Sequence, residues 1–154
     1  MLSSSSDHLE VGAPAPSLSV TLDNQEVVEL STLYEKGPVL LFFYPKADTP
    51  GCTKQACNLR DEFKALTEAN LQVLGVSRDS VKKQAAFRAK YSLPYPLIAD
   101  PEGALGKAFK VGGYLGLAYK RESYLVVDGK VAWMDRRAKP GSQAADALKA
   151  LAEL

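Results

Sequence analysis

The chain has 154 residues, 46% of them hydrophobic and 24% charged, which suits one domain large enough to bury its own core. Its formal net charge of +1 implies neither nucleic acid nor an anionic membrane as a partner on bulk electrostatics. No apolar run approaches the roughly 20 residues that span a bilayer; the longest is Val39 to Tyr44.

The start, MLSSSSDHLE, lacks the basic and apolar regions of a secretory signal, and Asp7 and Glu10 set it apart from acid-poor transit peptides. Residues 1–8 therefore read as a disordered tail, residues 9–154 as a single domain, and the chain as cytoplasmic. Arg136, Arg137 and Lys139 form the largest local basic cluster and read as a solvated surface patch.

Along the chain, LSVTL (Leu18 to Leu22) alternates like a half-buried strand and runs into the polar turn Asp23-Asn24. PVLLFFY (Pro38 to Tyr44) is a continuous apolar run, as expected of a central strand buried on both faces. A helix is predicted from about Pro50 to Asn70, with Ala56, Leu59, Phe63 and Leu66 on its apolar face. LQVLGVS (Leu71 to Ser77) is a second buried strand, and VKKQAAFRAKY (Val81 to Tyr91) a helix whose apolar face, around Ala85 and Phe87, is ambiguous in phase. YPLIAD (Tyr95 to Asp100) reads as a short strand and EGALGKAF (Glu102 to Phe109) as a short helix.

The connection from Lys110 to Arg121 is Gly-rich and long enough to be either a functional loop or a plain surface one. Asp128-Gly129 between two apolar runs signals a hairpin. The chain closes with a helix capped by Ser142, with Leu148, Leu151 and Ala152 on the buried side. Alternating elements ending in an antiparallel hairpin argue for an α/β three-layer domain on a mixed sheet.

Both cysteines of the chain lie five positions apart in YPKADTPGCTKQAC, with no histidine nearby. Two Cys and the lone His8 cannot make the usual four-ligand zinc site. Asp48 or Thr49 can cap the helix, and Pro50 suits its first position. Counting from Thr49 puts Cys52 in the first turn, where unpaired amides and the positive end of the helix dipole favour thiolate over thiol. Cys52 is thus a candidate nucleophile, against the plainer reading of a small apolar residue at a helix start. Positions five apart on a regular helix are about 8–9 Å apart between Cα atoms, and a disulfide needs roughly 4.4–6.8 Å. A Cys52–Cys57 bond therefore requires the first turns to unwind. Cys57 is either an inert core residue or a resolving thiol reached by local unfolding.

PKADTPGC (Pro45 to Cys52) fits the P-x-x-x-T-x-x-C signature of peroxiredoxins, and FYPKADTPGCTKQACNLRD resembles the peroxiredoxin Q branch, also called bacterioferritin comigratory protein. The similarity continues through VLGVSRDS, LIADPEGALGKAF and RESYLVVDGKV, nearly the whole chain after the tail. The resemblance implies a thioredoxin-like fold and a thiol peroxidase without metal or cofactor. It makes Cys52 the peroxidatic cysteine, with Thr49 offering its hydroxyl to thiolate and peroxide, Pro45 shielding the pocket, and Arg121 stabilising the thiolate and polarising the peroxide. Cys57 matches the resolving cysteine of members that place it five positions on. Also implied are hydrogen peroxide and organic hydroperoxides as substrates, thioredoxin or glutaredoxin as reductant, and a monomer. Without the resemblance, Arg121 would read as a surface salt-bridge partner of Glu122.

Two other readings compete. A thiol–disulfide oxidoreductase of thioredoxin type carries C-x-x-C, whereas this chain has C-x-x-x-x-C. A thioredoxin-fold binding or holdase module with structural cysteines would consume no peroxide and would lose nothing in Cys52→Ser. GGYLG is too weak a pattern for a phosphate loop.

Overall fold

The computed structural model describes residues 8–114 and 118–154, so the expected tail lies outside the described residues except for His8. The elements run β1 (Ser19–Leu22), β2 (Val27–Glu29), α1 (Leu30–Lys36), β3 (Val39–Phe43), α2 (Pro50–Asp61), α3 (Phe63–Glu68), β4 (Gln72–Ser77), α4 (Val81–Tyr91), β5 (Leu97–Ala99) and α5 (Ala104–Ala108). They continue with β6 (Gly113–Tyr114), β7 (Ala118–Tyr119), β8 (Glu122–Val127), β9 (Lys130–Asp135) and, after a 3₁₀ turn at Pro140–Ser142, α6 (Gln143–Ala152).

Seven strands form one sheet in the order β2-β1-β5-β4-β3-β8-β9. β3, β4 and β5 are parallel; β1 pairs antiparallel with β5 on one side, and on the other β8 pairs antiparallel with β3 and β9 antiparallel with β8. Every residue of β3 is buried, because the sheet is covered on both faces. Leu40, Phe42 and Tyr44 pack with Ala56 and Leu59 of α2, Phe87 of α4, and Ala144 and Ala147 of α6. Val39, Leu41 and Phe43 pack with Leu30 and Tyr34 of α1 and Leu105 of α5. Strand alternation thus sorts one apolar run into two cores, and the expected three-layer α/β architecture with a mixed central sheet results. At Asp128 and Gly129 the backbone takes φ of 52° and 75°, the paired positive values that a two-residue hairpin turn requires.

Several expectations need correction. The helix predicted from Pro50 to Asn70 is two helices, interrupted at Glu62 (φ −100°, ψ 14°). Past the break Phe63 lies against the Tyr95 ring, with centroids 6.2 Å apart. On α4 the buried positions are Gln84 and Phe87 rather than Ala85, because the Gln84 amide has partners inside: its Nε2 donates to the Ile98 carbonyl and its Oε1 accepts from the Tyr44 hydroxyl. α6 buries Gln143, Ala144, Ala147 and Ala150, while Leu148 and Leu151 are only half-buried and Ala152 is exposed. The small alanines let α6 sit close to α2, and the leucines pack along the margin of that contact. Ser142 does flank α6, but its hydroxyl donates to Asp146 rather than capping.

The hairpin partner β2 and the short helix α1 are not among the elements that the sequence predicts. Within the Lys110–Arg121 connection, β6 and β7 pair as a small antiparallel ribbon, and residues 115–117 lie outside the described residues.

Candidate active site

The site lies where three strand ends meet. β3 and β4 are parallel, and Phe43 is in register with Val76, so their C-terminal ends coincide. β8 runs the other way with Glu122 opposite Phe43, which brings its first residues to that same end. The loop after β3 (Tyr44 to Thr49), the end of β4 with the residues that follow it (Ser77 to Asp79) and Arg121 therefore converge, at the position where open α/β sheets place their ligands.

The loop is fixed from both sides. The Ala47 amide and the Ser77 hydroxyl both donate to Asp79 Oδ2, at 2.8 and 2.7 Å. Asp48, at φ 61°, accepts from Lys90 Nζ (2.9 Å) and the Tyr91 hydroxyl (2.7 Å) of α4. Those two donors hold the Asp48 carboxyl below its ordinary range. Thr49 occupies the N-cap position and Pro50 the first helical one, as the sequence predicts. The Thr49 side chain does not cap the helix, however; its hydroxyl donates to the Lys46 carbonyl at 2.7 Å. A hydroxyl carries one proton, so Thr49 Oγ1 is left with acceptor capacity toward any ligand. Pro45 is half-buried at the start of the loop.

Cys52 sits in the first turn of α2, 1% exposed, among Leu40, Phe42, Tyr44 and Ala56. The first-turn amides of Gly51 and Cys52 have no preceding helical carbonyl to take them, while the Thr53 amide closes onto the Thr49 carbonyl at 2.8 Å. Arg121 Nη1 points at Cys52 Sγ from 3.5 Å and donates to Gln55 Oε1 at 2.7 Å. A full charge at that separation attracts an anion by on the order of 4 kcal/mol at the effective dielectric near a protein surface, before the opposing cost of desolvating a buried sulfur. A helix terminus contributes about 0.3–1 kcal/mol, rising to ~2 kcal/mol when partly buried. Arg121 is therefore the larger influence on the sulfur.

The salt bridge between Arg121 and Glu122 does not form. Glu122 is buried and turned away, accepting from the Tyr124 hydroxyl (2.6 Å) and the Gly112 amide (3.0 Å), with Arg136 Nε 4.0 Å off. Arg136, Arg137 and Lys139 are exposed, as expected of a solvated patch.

Cys52 and Cys57 both lie within α2, and both are free thiols. Cys57 is half-buried, and that burial pushes its thiol up from the ordinary range. Among the described residues, no three His, Cys, Asp or Glu side chains are grouped so that they could hold a metal ion.

Two further residues of the site are not marked by the sequence motifs. Gln55 is three positions after Cys52 on the same helix face, a spacing that could have found it, whereas its full burial is visible only in the fold. Gly51 is the other: a Cβ built on it would lie 2.8 Å from Arg121 Nη2. Gly51→Ala is expected to leave the melting temperature within a few degrees, since the obstructed group is the end of a flexible side chain. It is expected to cut peroxide turnover about ten-fold by displacing Arg121; steady-state kinetics beside a melting curve check both.

Comparison with known proteins shows the family. Residues 11–134 match the AhpC/TSA family model. The peroxiredoxin Bcp of Bacillus subtilis is 35% identical over 95% of this chain and 97% of its own length. Peroxiredoxin Bcp of Escherichia coli is 39% identical over 80% of this chain and 83% of its own. Among solved structures, the peroxidoxin BcpB of Mycobacterium tuberculosis superposes with a TM-score of 0.88 at 35% identity, covering 96% of this chain and 99% of that one. Xanthomonas campestris peroxiredoxin Q gives 0.83 at 32% identity, covering 96% and 98%. With the family model spanning most of the chain and the thioredoxin-like sheet in place, the chain belongs to the AhpC/TSA family, as a peroxiredoxin of the Bcp and peroxiredoxin Q kind.

Proposed function

We propose that this peroxiredoxin reduces hydrogen peroxide and organic hydroperoxides through Cys52, resolves the product with Cys57, and is recycled by a dithiol protein such as thioredoxin or glutaredoxin. The observation that carries the reading is the Arg121 guanidinium 3.5 Å from a buried first-turn sulfur. A related protein, the Xanthomonas campestris bacterioferritin comigratory protein, 31% identical over 88% of this chain and 90% of its own, has alkyl peroxide reduction activity.

The Cys52 thiolate attacks the terminal oxygen of the peroxide. An S–O bond forms, the O–O bond breaks, and the departing alkoxide or hydroxide takes a proton from solvent. Arg121 and the first-turn amides offset the charge that moves onto the leaving oxygen without giving up a proton. Thr49 Oγ1, its own proton on the Lys46 carbonyl, accepts from the peroxide O–H, and Pro45 screens the loop side. Cys52 is left as a sulfenic acid, and the Cys57 thiol condenses with it, releasing water and forming a disulfide before further oxidation. Thiol–disulfide exchange with the reductant restores both thiols.

Resolution needs the first turn of α2 to open. The later part of the helix is held in place: the Ala56 carbonyl accepts from the Tyr95 hydroxyl (2.7 Å), and Asn58 Oδ1 from the Ala144 amide (2.8 Å). Cys57 stays put while Cys52 travels. Oxidation helps, because a neutral sulfenic acid forfeits the attraction of Arg121 that holds the thiolate. Scattered exposed apolar side chains, Val11, Val27 and Leu154, fit a chain that works as a monomer.

The test is a coupled assay with thioredoxin, its reductase and NADPH. NADPH oxidation that depends on peroxide and on Cys52 is expected. No peroxide loss in that assay would sink the reading and leave the thioredoxin-fold binding module in its place.

A further inference from the structure

We propose that Gln143 is a positioning residue of the peroxidase reaction, fixing, together with Ser123, the Gln55 amide that holds Arg121 beside Cys52. The proposal rests on the peroxidase reading above, and concerns residues that touch neither sulfur nor peroxide.

Three polar side chains with no exposed surface, Gln55 of α2, Ser123 of β8 and Gln143 of α6, meet inside an otherwise apolar layer. They form one chain of hydrogen bonds. Arg121 Nη1 donates to Gln55 Oε1 (2.7 Å), Gln55 Nε2 donates to Gln143 Oε1 (2.5 Å), and the Ser123 hydroxyl donates to that same oxygen (2.7 Å).

The polarity of this chain is dictated from the arginine end. A guanidinium only donates, so the Gln55 oxygen must face it and the Gln55 nitrogen must face away. Gln143 must then present its oxygen, and the Ser123 proton has to follow. Turning Gln143 over would set two amide nitrogens against each other at hydrogen-bond distance.

The arrangement has a cost that marks it. Gln143 Nε2 is buried with no partner among the described residues, although buried polar atoms nearly always find one. Gln143 serves as a double acceptor at the expense of its own donor, which makes sense if the need lies at Arg121. Each link comes from a different element, so the first residue of α6 and the start of β8 together hold an α2 side chain that alone would have other rotamers. The amide then meets Arg121 at one angle, and Arg121 meets the sulfur.

The test compares Gln143→Leu, Gln143→Glu and Ser123→Ala with the wild type. Two readouts are taken: kcat/KM for hydrogen peroxide, and the pH midpoint of ultraviolet thiolate absorbance for Cys52, with Cys52→Ser as the blank. Leucine matches the volume but accepts nothing. Gln143→Leu is expected to lose about ten-fold in kcat/KM, to form its thiolate at higher pH, and to melt within a few degrees of the wild type. Gln143→Glu keeps the accepting oxygen and is expected to recover most of the rate. Ser123→Ala shifts both readouts in the same direction by about two- to three-fold in rate.

Wild-type values of both readouts in Gln143→Leu and in Ser123→Ala would overturn the proposal. So would a Gln143→Glu protein as slow as Gln143→Leu, which would show that an accepting oxygen at this position does not restore the arrangement. If Gln143→Leu does not fold, the other two variants decide by the same criteria. The thiolate midpoint needs no peroxide, so a wild type without turnover fails the peroxidase reading while the link to Cys52 is still measured.

Discussion

Cys52→Ser is expected to abolish peroxide reduction, lowering turnover by more than about a thousandfold, while the protein stays folded. Serine is close in shape to cysteine, and the side chain it replaces is packed among Leu40, Phe42, Tyr44 and Ala56, so little volume is lost. Chemistry suffers instead. An alkoxide is inaccessible at neutral pH at a site with no general base, and among the described residues no histidine other than His8 exists, far from α2 in sequence. Arg121 can stabilise an anion that is present but cannot remove a proton to create one. Cys57→Ser is expected to behave differently. It completes the first attack and then stalls as a sulfenic acid, so the loss falls on steady-state cycling and not on the first equivalent. Stopped-flow peroxide consumption separates the two variants.

Arg121→Met is expected to lower kcat/KM by about 100- to 1000-fold, the range seen when one preorganised donor to a developing anion is removed. That factor corresponds to ~2.7–4 kcal/mol, in line with a guanidinium placed 3.5 Å from the sulfur. Arg121→Lys should recover part of this, because charge survives while the planar, fixed Nη1 that reaches both Cys52 Sγ and Gln55 Oε1 does not. A lysine variant as slow as the methionine one would mean that geometry outweighs charge. Full activity in both would remove Arg121 from the mechanism. The resolution step should carry its own pH dependence: burial raises the Cys57 thiol in the closed helix, so disulfide formation after a peroxide pulse should quicken as pH rises toward the thiol's range.

Legibility in the sequence followed local physics. β3 and β4 stand out because a strand buried on both faces must be apolar through its centre, and Asp128-Gly129 because a tight hairpin turn needs positive φ. The break at Glu62 was invisible because no glycine or proline marks it. α1 and β2 are too short to show a period. On α6 the alternation offered two faces, one of leucines and one of alanines; hydrophobicity chose the leucines, whereas the close approach of α2 required the alanines.

The same divide runs through the site. Thr49, Pro50 and Cys52 are neighbours in sequence, so helix-start chemistry alone placed them. Arg121 is 69 residues from Cys52, and only the pairing of Phe43 with Glu122 brings it there. Composition offered a surface salt bridge for it, and the family resemblance alone assigned it to the sulfur. Gln55 and Gln143 are 88 residues apart and polar, properties that say surface until the fold buries them.

The most direct test of the account is intact mass with thiol counting on wild type and Cys57→Ser, before and after one equivalent of hydrogen peroxide. The wild type should lose both thiols and two mass units as one intramolecular disulfide, and Cys57→Ser should gain one oxygen, trappable as a sulfenic acid at Cys52. Unchanged thiols in both proteins would contradict the account, and a disulfide that links two chains in the wild type would contradict resolution by unwinding of α2.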